Sequence, residues 1–326
     1  MAIKTKVKRS SRADATMLDE AFDEFIYQKR ASGKSEATIK NYVQSMGFYK
    51  RFNNFGEETT TEDLTPKSVY SWITSLQEEG TKHTTINHYL RDVRSFLYWC
   101  MNSERRFISE SFKISEVKGQ EEAAKLFTDE ELEILLQKPF KKDSFTTWRN
   151  WAIVNWVLAT GNRAQTICDV RMEDVSFRKK EIVLAHTKNK KAQIIPLSKS
   201  LETALNEYAR IWRSDASEKD YLFPNIGEEQ MTTNALRLSF SKYCKNRGVE
   251  HTSIHGLRHN FAKGWIMNDG NIFKLQKVLG HAGISMTRKY VRLYDADLKE
   301  DYDQFSPLDN IKKAKQRTRA VQRNDY

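Results

Sequence analysis

The sequence predicts a mainly α-helical protein with an all-helical N-terminal domain and a small β-sheet in its C-terminal domain. Its 326 residues fit two domains of roughly 100–200 residues each. From Ala13 to about Arg105, apolar residues recur at the spacing of one helix face. Further along, two short β-rich runs, 181–185 and 192–197, flank the polar segment 187–191, a pattern typical of a β-hairpin.

Four amphipathic helices are predicted for the N-terminal domain, residues 13–110. Ser35 suits the N-cap of the second helix, and Thr65-Pro66 supplies an N-cap and a first-turn proline for the third. The four apolar faces comprise Leu18, Phe22, Phe25 and Ile26; Ile39, Tyr42, Val43, Met46 and Tyr49; Val69, Trp72, Ile73 and Leu76; and Ile86, Leu90, Val93, Leu97 and Cys100.

The C-terminal domain is predicted to span residues 125–305, after an interdomain linker at 111–124 that shows no clear period. It begins with a capping box, in which Thr128 and Glu131 satisfy the first backbone N–H groups of a helix. The remaining helical patterns cover residues 148–158, 198–212, 233–247, 256–267, 271–279 and about 285–293.

Two basic tails are predicted, residues 1–12 and 306–326, and the formal net charge of +11 lies almost entirely in residues 1–12 and 311–326. The first tail carries five basic residues and no acidic one, and residues 311–326 carry six basic residues against one acidic residue. Residues 13–310 are therefore nearly neutral, and the N-terminal domain is net acidic. Basic tails can bind nucleic acid or simply be solvated, so charge alone leaves both interpretations open.

Missing motifs argue against several function classes. The three cysteines are far apart and form no CxxC pair, so we expect a reducing compartment rather than a disulfide scaffold or zinc finger. The sequence has no GxxxxGK loop and no HExxH, and its most apolar stretch, 151–160, is shorter than the roughly 20 residues of a membrane helix. No signal peptide is visible. We therefore expect no cofactor, no metal, no membrane association and a cytoplasmic location.

Six residues are candidates for catalysis, although each of them alone also has a structural explanation. A His-x-x-Arg pair on a helix is commonly a solvated face. A Gly-His pair is commonly a helix C-cap followed by an exposed residue, and an arginine after a glycine is commonly a turn residue. The six are Arg163, Lys188, His255, Arg258, His281 and Tyr290.

Taken together and in order, these residues resemble the tyrosine recombinases, or phage integrase family. The resemblance implies a helical, SAM-like core-binding domain at 13–110 and a catalytic domain at 125–305. This two-domain architecture is similar to that of Xer-type recombinases, without a separate arm-binding domain. The matching segments are TGNR (Thr160–Arg163), TKNKKAQIIPL (Thr187–Leu197), HGLRHNFA (His255–Ala262), LGHAGISMTRKY (Leu279–Tyr290), SEATIKNY (Ser35–Tyr42) and the helix Thr84–Trp99.

The reaction that the resemblance implies is a phosphoryl transfer in DNA that needs neither metal nor ATP. Tyr290 would attack the scissile phosphate, form a 3′-phosphotyrosine and free a 5′-hydroxyl. A second strand's 5′-hydroxyl would then reverse the step. Because a free tyrosine has a pKa near 10, it needs an adjacent base, and His255 would accept its proton.

The resemblance also implies how the phosphate is held. Arg163 and Arg258 would neutralise its non-bridging oxygens, because arginine is always charged and binds phosphate bidentately. His281 would donate a third hydrogen bond to the phosphate, and Lys188 would protonate the departing 5′-oxygen. Two positions depart from the family pattern: Thr166 stands where Glu or Asp is usual, and Asn162 where an apolar residue is usual.

Double-stranded DNA is the partner that the resemblance implies, with a tetramer assembled on two DNA sites. Residues 292–310 would contact a neighbouring protomer; the alternative is that they pack on their own domain. An accessory directionality factor is a further candidate partner, and a phage-encoded or bacterial, nucleoid-associated protein is expected. The residues expected to contact DNA are Lys40, Arg91, Arg94, Lys190, Lys191, Lys312 and Lys313.

Two other functions remain open at this point. A catalytically silent DNA-binding protein of the same fold would act as a phage repressor or transcription regulator. The complete six-residue set favours the enzyme, whereas Thr166 slightly favours the silent protein. A helical scaffold without a nucleic-acid function is the third interpretation.

Overall fold

The described part of the chain forms two compact units, Met1–Glu122 and Ala123–Tyr326. The computed structural model describes residues 16–103, 107–108, 110–119, 125–184 and 192–281, together with Gly283 and Thr287. Several predicted segments lie outside this range: the two basic tails, the hairpin tip 187–191 and the helix at 285–293 apart from Thr287. Over the described ranges, no helix combines the length and the apolar character needed to cross a membrane.

Over its described residues the N-terminal unit contains four α-helices, and two of them, α2 and α3, begin at the predicted capping residues. The Ser35 hydroxyl accepts the N–H of Thr38, and Thr65 forms a capping box with Ser68 around Pro66. The helices are α1 (Leu18–Ala31), α2 (Glu36–Phe52), α3 (Pro66–Glu78) and α4 (His83–Asn102).

The apolar faces of these helices meet in one core that is rich in aromatic rings. Phe25 is fully buried, and its ring meets those of Tyr42, Phe96 and Trp99 edge-on at centroid distances of 5.3, 5.4 and 5.7 Å. One predicted core position is wrong, because Val43 lies at the edge of the buried face of α2 and is 50% exposed.

The segment predicted as a linker packs along α4 over its described residues. Ile114 is buried in the N-terminal core. The N–H of Val117 donates to Asn87 Oδ1 at 2.8 Å, and Asn87 Nδ2 donates to the Val117 carbonyl at 2.9 Å. Residues 110–119 are therefore structurally part of the N-terminal unit.

The C-terminal unit is built around a central helix, α6, which packs against α5, α8, α9 and α10. This helix is apolar on all sides, with Trp148 and Trp156 fully buried. The helices are α5 (Asp129–Leu136), α6 (Phe145–Thr160), α7 (Ala164–Asp169), α8 (Lys199–Trp212), α9 (Thr233–Asn246), α10 (Ile254–Met267) and α11 (Ile272–Leu279).

A small antiparallel sheet lies beside these helices, with strand order β1-β2-β3. The predicted hairpin strands are β2 (Glu181–Leu184) and β3 (Gln193–Pro196), with Leu184 opposite Gln193. The sequence did not predict β1 (Val175–Ser176), because two residues are too few to show alternation. The fold class is confirmed: a mainly helical protein with one small sheet.

The end of α6 requires glycine and fixes the position of two later helices. Gly161 has φ +63°, in the left-handed region. A β-carbon there would lie 2.4 Å from the Phe261 ring of α10 and 2.8 Å from Leu279 of α11. The backbone at Gly161 is therefore in close contact with both helices.

We expect Gly161→Ala to destabilise the C-terminal unit by about 2 kcal/mol or more, because it adds left-handed strain and a steric clash. Gly264→Ala on α10 is the matched control: no atom lies within 4 Å of the added carbon, so helix propensity should raise stability by about 0.5–1 kcal/mol. Urea denaturation followed by tryptophan fluorescence measures both variants. Equal effects of the two variants would contradict the close approach at Gly161.

Candidate active site

Four of the six predicted catalytic residues come together where three segments of the C-terminal unit meet. Arg163 follows the end of α6, His255 and Arg258 lie on α10, and His281 follows the end of α11. The other two predicted residues, Lys188 and Tyr290, lie outside the described residues.

Arg258 is buried and donates to the carboxyl ends of two helices. The residue is only 2% exposed to solvent. Nη1 donates to the Gly161 carbonyl at 2.5 Å, and Nη2 donates to the Leu279 carbonyl at 3.0 Å. The carboxyl end of a helix carries partial negative charge, which favours a cation there. The ends of α6 and α11 therefore stabilise this buried charge.

Arg163 also donates to the carboxyl end of α11. It is the N-cap residue of α7, and its extended backbone directs the chain out of the turn after α6. Its Nη1 donates to the carbonyls of Leu279 at 3.3 Å and Gly280 at 3.5 Å. Two guanidinium groups thus share the Leu279 carbonyl, and the end of α11 offsets their mutual repulsion.

His281 accepts a hydrogen bond from Arg258 in this arrangement. Nε2 lies 2.8 Å from Arg258 Nη2, and arginine can only donate, so Nε2 carries no proton. The proton of the neutral ring therefore lies on Nδ1, which donates to Thr287 Oγ1 at 2.9 Å. The protein without DNA thus holds His281 as an acceptor, whereas the sequence analysis expected a donor to phosphate.

Burial, together with the arginines, keeps the neighbouring histidines neutral. Desolvation, followed by the charges of Arg258 and Arg163, lowers the pKa of His281 to about 4. The same causes, in the same order, lower the pKa of His255, whose side chain is still exposed. Desolvation, with His255 and Arg258 nearby, lowers the pKa of His259 to about 4. At neutral pH, His255 is therefore in the form that accepts a proton.

Sequence analysis missed the contact that joins the hairpin to this site. Gln193, the first residue of β3, donates through Nε2 to the carbonyls of Lys277 at 2.7 Å and Val278 at 2.5 Å. These are the α11 carbonyls just before the one that binds both arginines. Gln193 lies in the hairpin motif, but no local pattern indicates a partner more than 80 residues away.

Asn162, one of the two departures from the family pattern, has a structural explanation. Its side chain is buried, and Oδ1 accepts the indole N–H of Trp156 at 2.9 Å. The Thr160 hydroxyl accepts the N–H of Asn162 at 3.3 Å and donates to the Trp156 carbonyl at 2.7 Å. A buried amide at this position is therefore satisfied within the turn that carries Arg163. Thr166, the other departure, is half-buried on α7.

Two predicted DNA contacts are exposed on the N-terminal unit. Lys40 lies on α2 and Arg91 on α4, and both are exposed. Arg91 donates through Nε and Nη2 to the buried carboxylate of Asp92 at 3.4 Å, and its Nη2 lies 3.0 Å from His88 Nδ1. The Asp92 carboxylate also accepts the Ser45 hydroxyl at 3.1 Å, so Arg91 is held by an anchored partner.

Arg94 is engaged within its own unit. Its Nη1 donates to Glu116 Oε1 at 3.4 Å, and its guanidinium lies 5.4 Å from the ring centre of Tyr98. The remaining predicted DNA contacts lie outside the described residues: Lys190, Lys191, Lys312 and Lys313.

Comparison with known families agrees with this fold. A family model described as "Phage integrase family" matches residues 125–297. A second, described as "Phage integrase, N-terminal SAM-like domain", matches residues 20–104. The first match alone spans more than half of the chain. The chain belongs to the phage integrase family, and it is a tyrosine recombinase by that membership.

Individual relatives match over most of the chain. The tyrosine recombinase XerC of Thermodesulfovibrio yellowstonii is 28% identical over 287 residues, covering 86% of this chain and 93% of that protein. XerD of Halalkalibacterium halodurans is 25% identical over 286 residues, covering 86% and 95%. The solved Tn1549 transposon integrase, in complex with transposon right-end DNA, has the same fold: the TM-score is 0.69 at 18% identity, covering 84% and 94%.

The lowered histidine pKa values predict a pH-dependent stability. Between pH 6.5 and about 4 the unfolded chain binds more protons at His259 and His281 than the folded chain, so the free energy of unfolding falls as the pH falls. Allowing for partial exposure, we expect a loss of about 1–2 kcal/mol for each histidine. Urea denaturation at neutral pH and near pH 5 measures it.

The comparison variant for this prediction is His259→Phe, which removes one of the two titrating groups. Its stability should fall less steeply with pH than that of the wild type, although carboxylates titrate equally in both. Parallel pH profiles for the two proteins would contradict the assignment.

Proposed function

We propose that the chain is a site-specific DNA recombinase that cleaves and rejoins strands of duplex DNA through a 3′-phosphotyrosine. The observation that carries this proposal is the cluster of two guanidinium and two imidazole groups at the ends of α6 and α11. Preorganised positive charge and a proton acceptor are what phosphoryl transfer requires. The proposed catalytic residues are Arg163, Lys188, His255, Arg258, His281 and Tyr290.

The proposed cleavage step conserves atoms and charge within the protein and DNA. The Tyr290 oxygen forms a bond to phosphorus while its proton passes to the neutral imidazole of His255. The bond between phosphorus and the 5′-oxygen breaks, and Lys188 supplies the proton that this oxygen takes up. Rejoining reverses each transfer with a 5′-hydroxyl from another strand. The phosphotyrosine bond therefore conserves the energy of the phosphodiester bond that was broken.

Arg163 and Arg258 differ in how much they can offer to a phosphate. Arg258 is buried, with both terminal nitrogens bonded to carbonyls, which suits a fixed charge under the phosphate. Arg163 is half-buried and binds carbonyls only through Nη1. Its Nη2 and Nε form no hydrogen bond to a described residue, so they are open to bidentate binding of the scissile phosphate.

Lys188 is proposed to act from the hairpin whose base is tied to this site. Gln193 holds the start of β3 on the carboxyl end of α11, close to the carbonyl shared by both arginines. Strand pairing of Leu184 with Gln193 fixes the other side of the hairpin at the same level. The ends of the two strands that precede and follow the segment containing Lys188 are therefore fixed in position.

We further propose that the exposed Lys40 and Arg91 contact DNA from the N-terminal unit. The basic tails and the hairpin lysines would add non-specific phosphate contacts. We also propose that the protein assembles as a tetramer on two DNA sites, with residues 292–310 joining protomers. The recombination reaction would integrate or excise a phage or mobile element. A relevant parallel is that a solved lambda integrase is a tetramer bound to a Holliday junction.

The central test is formation of a covalent protein–DNA adduct on a nicked suicide substrate. We expect wild-type protein to form the adduct and Tyr290→Phe to form none, because the nucleophilic oxygen is lost. Tyr27→Phe, at an exposed tyrosine on α1, is the control and should retain the adduct. Denaturing gel electrophoresis measures the product. Tight DNA binding without any adduct would favour a silent DNA-binding protein such as a repressor.

The proposed proton donor is tested by changing the leaving group. Lys188→Ala should slow cleavage of normal DNA by roughly 10²–10⁴-fold, the usual contribution of general acid catalysis. On DNA with sulfur in place of the 5′-bridging oxygen, it should cleave near the wild-type rate, because a thiolate leaves without a proton. Lys190→Ala and Lys191→Ala are the controls: they would lose only non-specific phosphate contacts, so they should change cleavage of both substrates to the same extent. An equal loss by Lys188→Ala on both substrates would assign the lysine another function.

A further inference from the structure

We infer that Thr287 is a positioning residue that fixes the tautomer of His281 and, through it, the orientation of the Arg258 guanidinium. The inference rests on the proposed function, since it concerns the site that would bind the scissile phosphate. In the protein without DNA, before any phosphate binds, the imidazole of His281 accepts a hydrogen bond from Arg258.

The hydrogen-bond geometry allows one arrangement of protons along this chain. Arg258 Nη2 lies 2.8 Å from His281 Nε2 and must donate to it. With Nε2 unprotonated, the neutral ring carries its proton on Nδ1, which lies 2.9 Å from the Thr287 hydroxyl oxygen and donates to it. A charged imidazolium would place two donors against each other at Nε2. Arg258, His281 and Thr287 therefore form a directed series of two hydrogen bonds.

Burial makes this series specific. Thr287 is 0% exposed and Arg258 is 2% exposed, so water does not replace either partner readily. Without an acceptor at position 287, no hydrogen bond to Thr287 would stabilise the tautomer with its proton on Nδ1. The alternative tautomer would point an Nε2–H at the arginine, and the guanidinium would lose the His281 imidazole as an acceptor beside the Gly161 and Leu279 carbonyls.

The backbone around His281 supports the same orientation. Gly280 is left-handed, with φ +60°, and turns the chain at the end of α11. The N–H of His281 then donates to the Gln276 carbonyl at 3.1 Å, and Gln276 Nε2 donates to the His281 carbonyl at 3.3 Å. The main chain is thus fixed on both sides, and only the ring needs the threonine.

The test compares Thr287→Val, which keeps the shape but cannot accept the proton, with Thr287→Ser, which can. We expect adduct formation on the suicide substrate to slow about tenfold in Thr287→Val, the worth of one hydrogen bond. Thr287→Ser should stay within about twofold of the wild type. Thr203→Val is the control for a threonine whose hydroxyl bonds only its own helix, to the Lys199 carbonyl. A wild-type rate for Thr287→Val would overturn the inference.

Two further measurements separate positioning from a purely structural effect. In a His281→Phe background, Thr287→Val should cause no additional loss, since the ring through which it acts is gone; additive losses would overturn the inference. Nitrogen NMR of histidine-labelled full-length protein without DNA should show the Nδ1–H tautomer of His281 in the wild type and in Thr287→Ser but not in Thr287→Val. The NMR result does not depend on cleavage, so it can fail or succeed independently of the proposed function.

Discussion

The arrangement that the rest of the C-terminal unit depends on is two guanidinium groups held at the carboxyl ends of two helices. Arg163 and Arg258 would repel each other in isolation, yet both donate to the Leu279 carbonyl, and Arg258 also binds the Gly161 carbonyl. These carbonyls are accessible because α6 and α11 each end in a left-handed glycine. The helix ends thus act as counter-charges that are part of the backbone.

The chemistry of the histidines follows from this arrangement. Partial burial, and after it the fixed charges of Arg258 and Arg163, lower the pKa values of His255 and His281, so both rings are neutral near pH 7. A neutral His255 can take a proton from a nucleophile, and a neutral His281 can accept a hydrogen bond from Arg258. The same electrostatic field that would bind a phosphate therefore prepares the groups around it.

The sequence predicted what is encoded locally and missed what is formed between distant residues. Ser35, Thr65 and Thr128 marked helix starts correctly, because a capping side chain bonds a backbone group three residues away. The contacts of Gln193 with α11 have no local signal, since the partner lies more than 80 residues away and is set by tertiary packing. The bond between His281 and Thr287 joins residues only six apart, but no capping or periodic pattern predicts it. Four of the catalytic candidates that the motifs indicated lie together in the structure, but spacing cannot state which ring nitrogen carries the proton.

Thr166 is consistent with this electrostatic arrangement. The family usually has an acid there, three residues after Arg163 on the same helical turn, where it would partly neutralise the guanidinium. A carboxylate nearby would also raise the pKa of the adjacent imidazoles. Threonine leaves the positive charge at full strength, while the carbonyls of Leu279 and Gly280 hold Arg163 in position without a carboxylate. We therefore expect threonine at this position, compared with an acid, to favour the neutral form of both histidines.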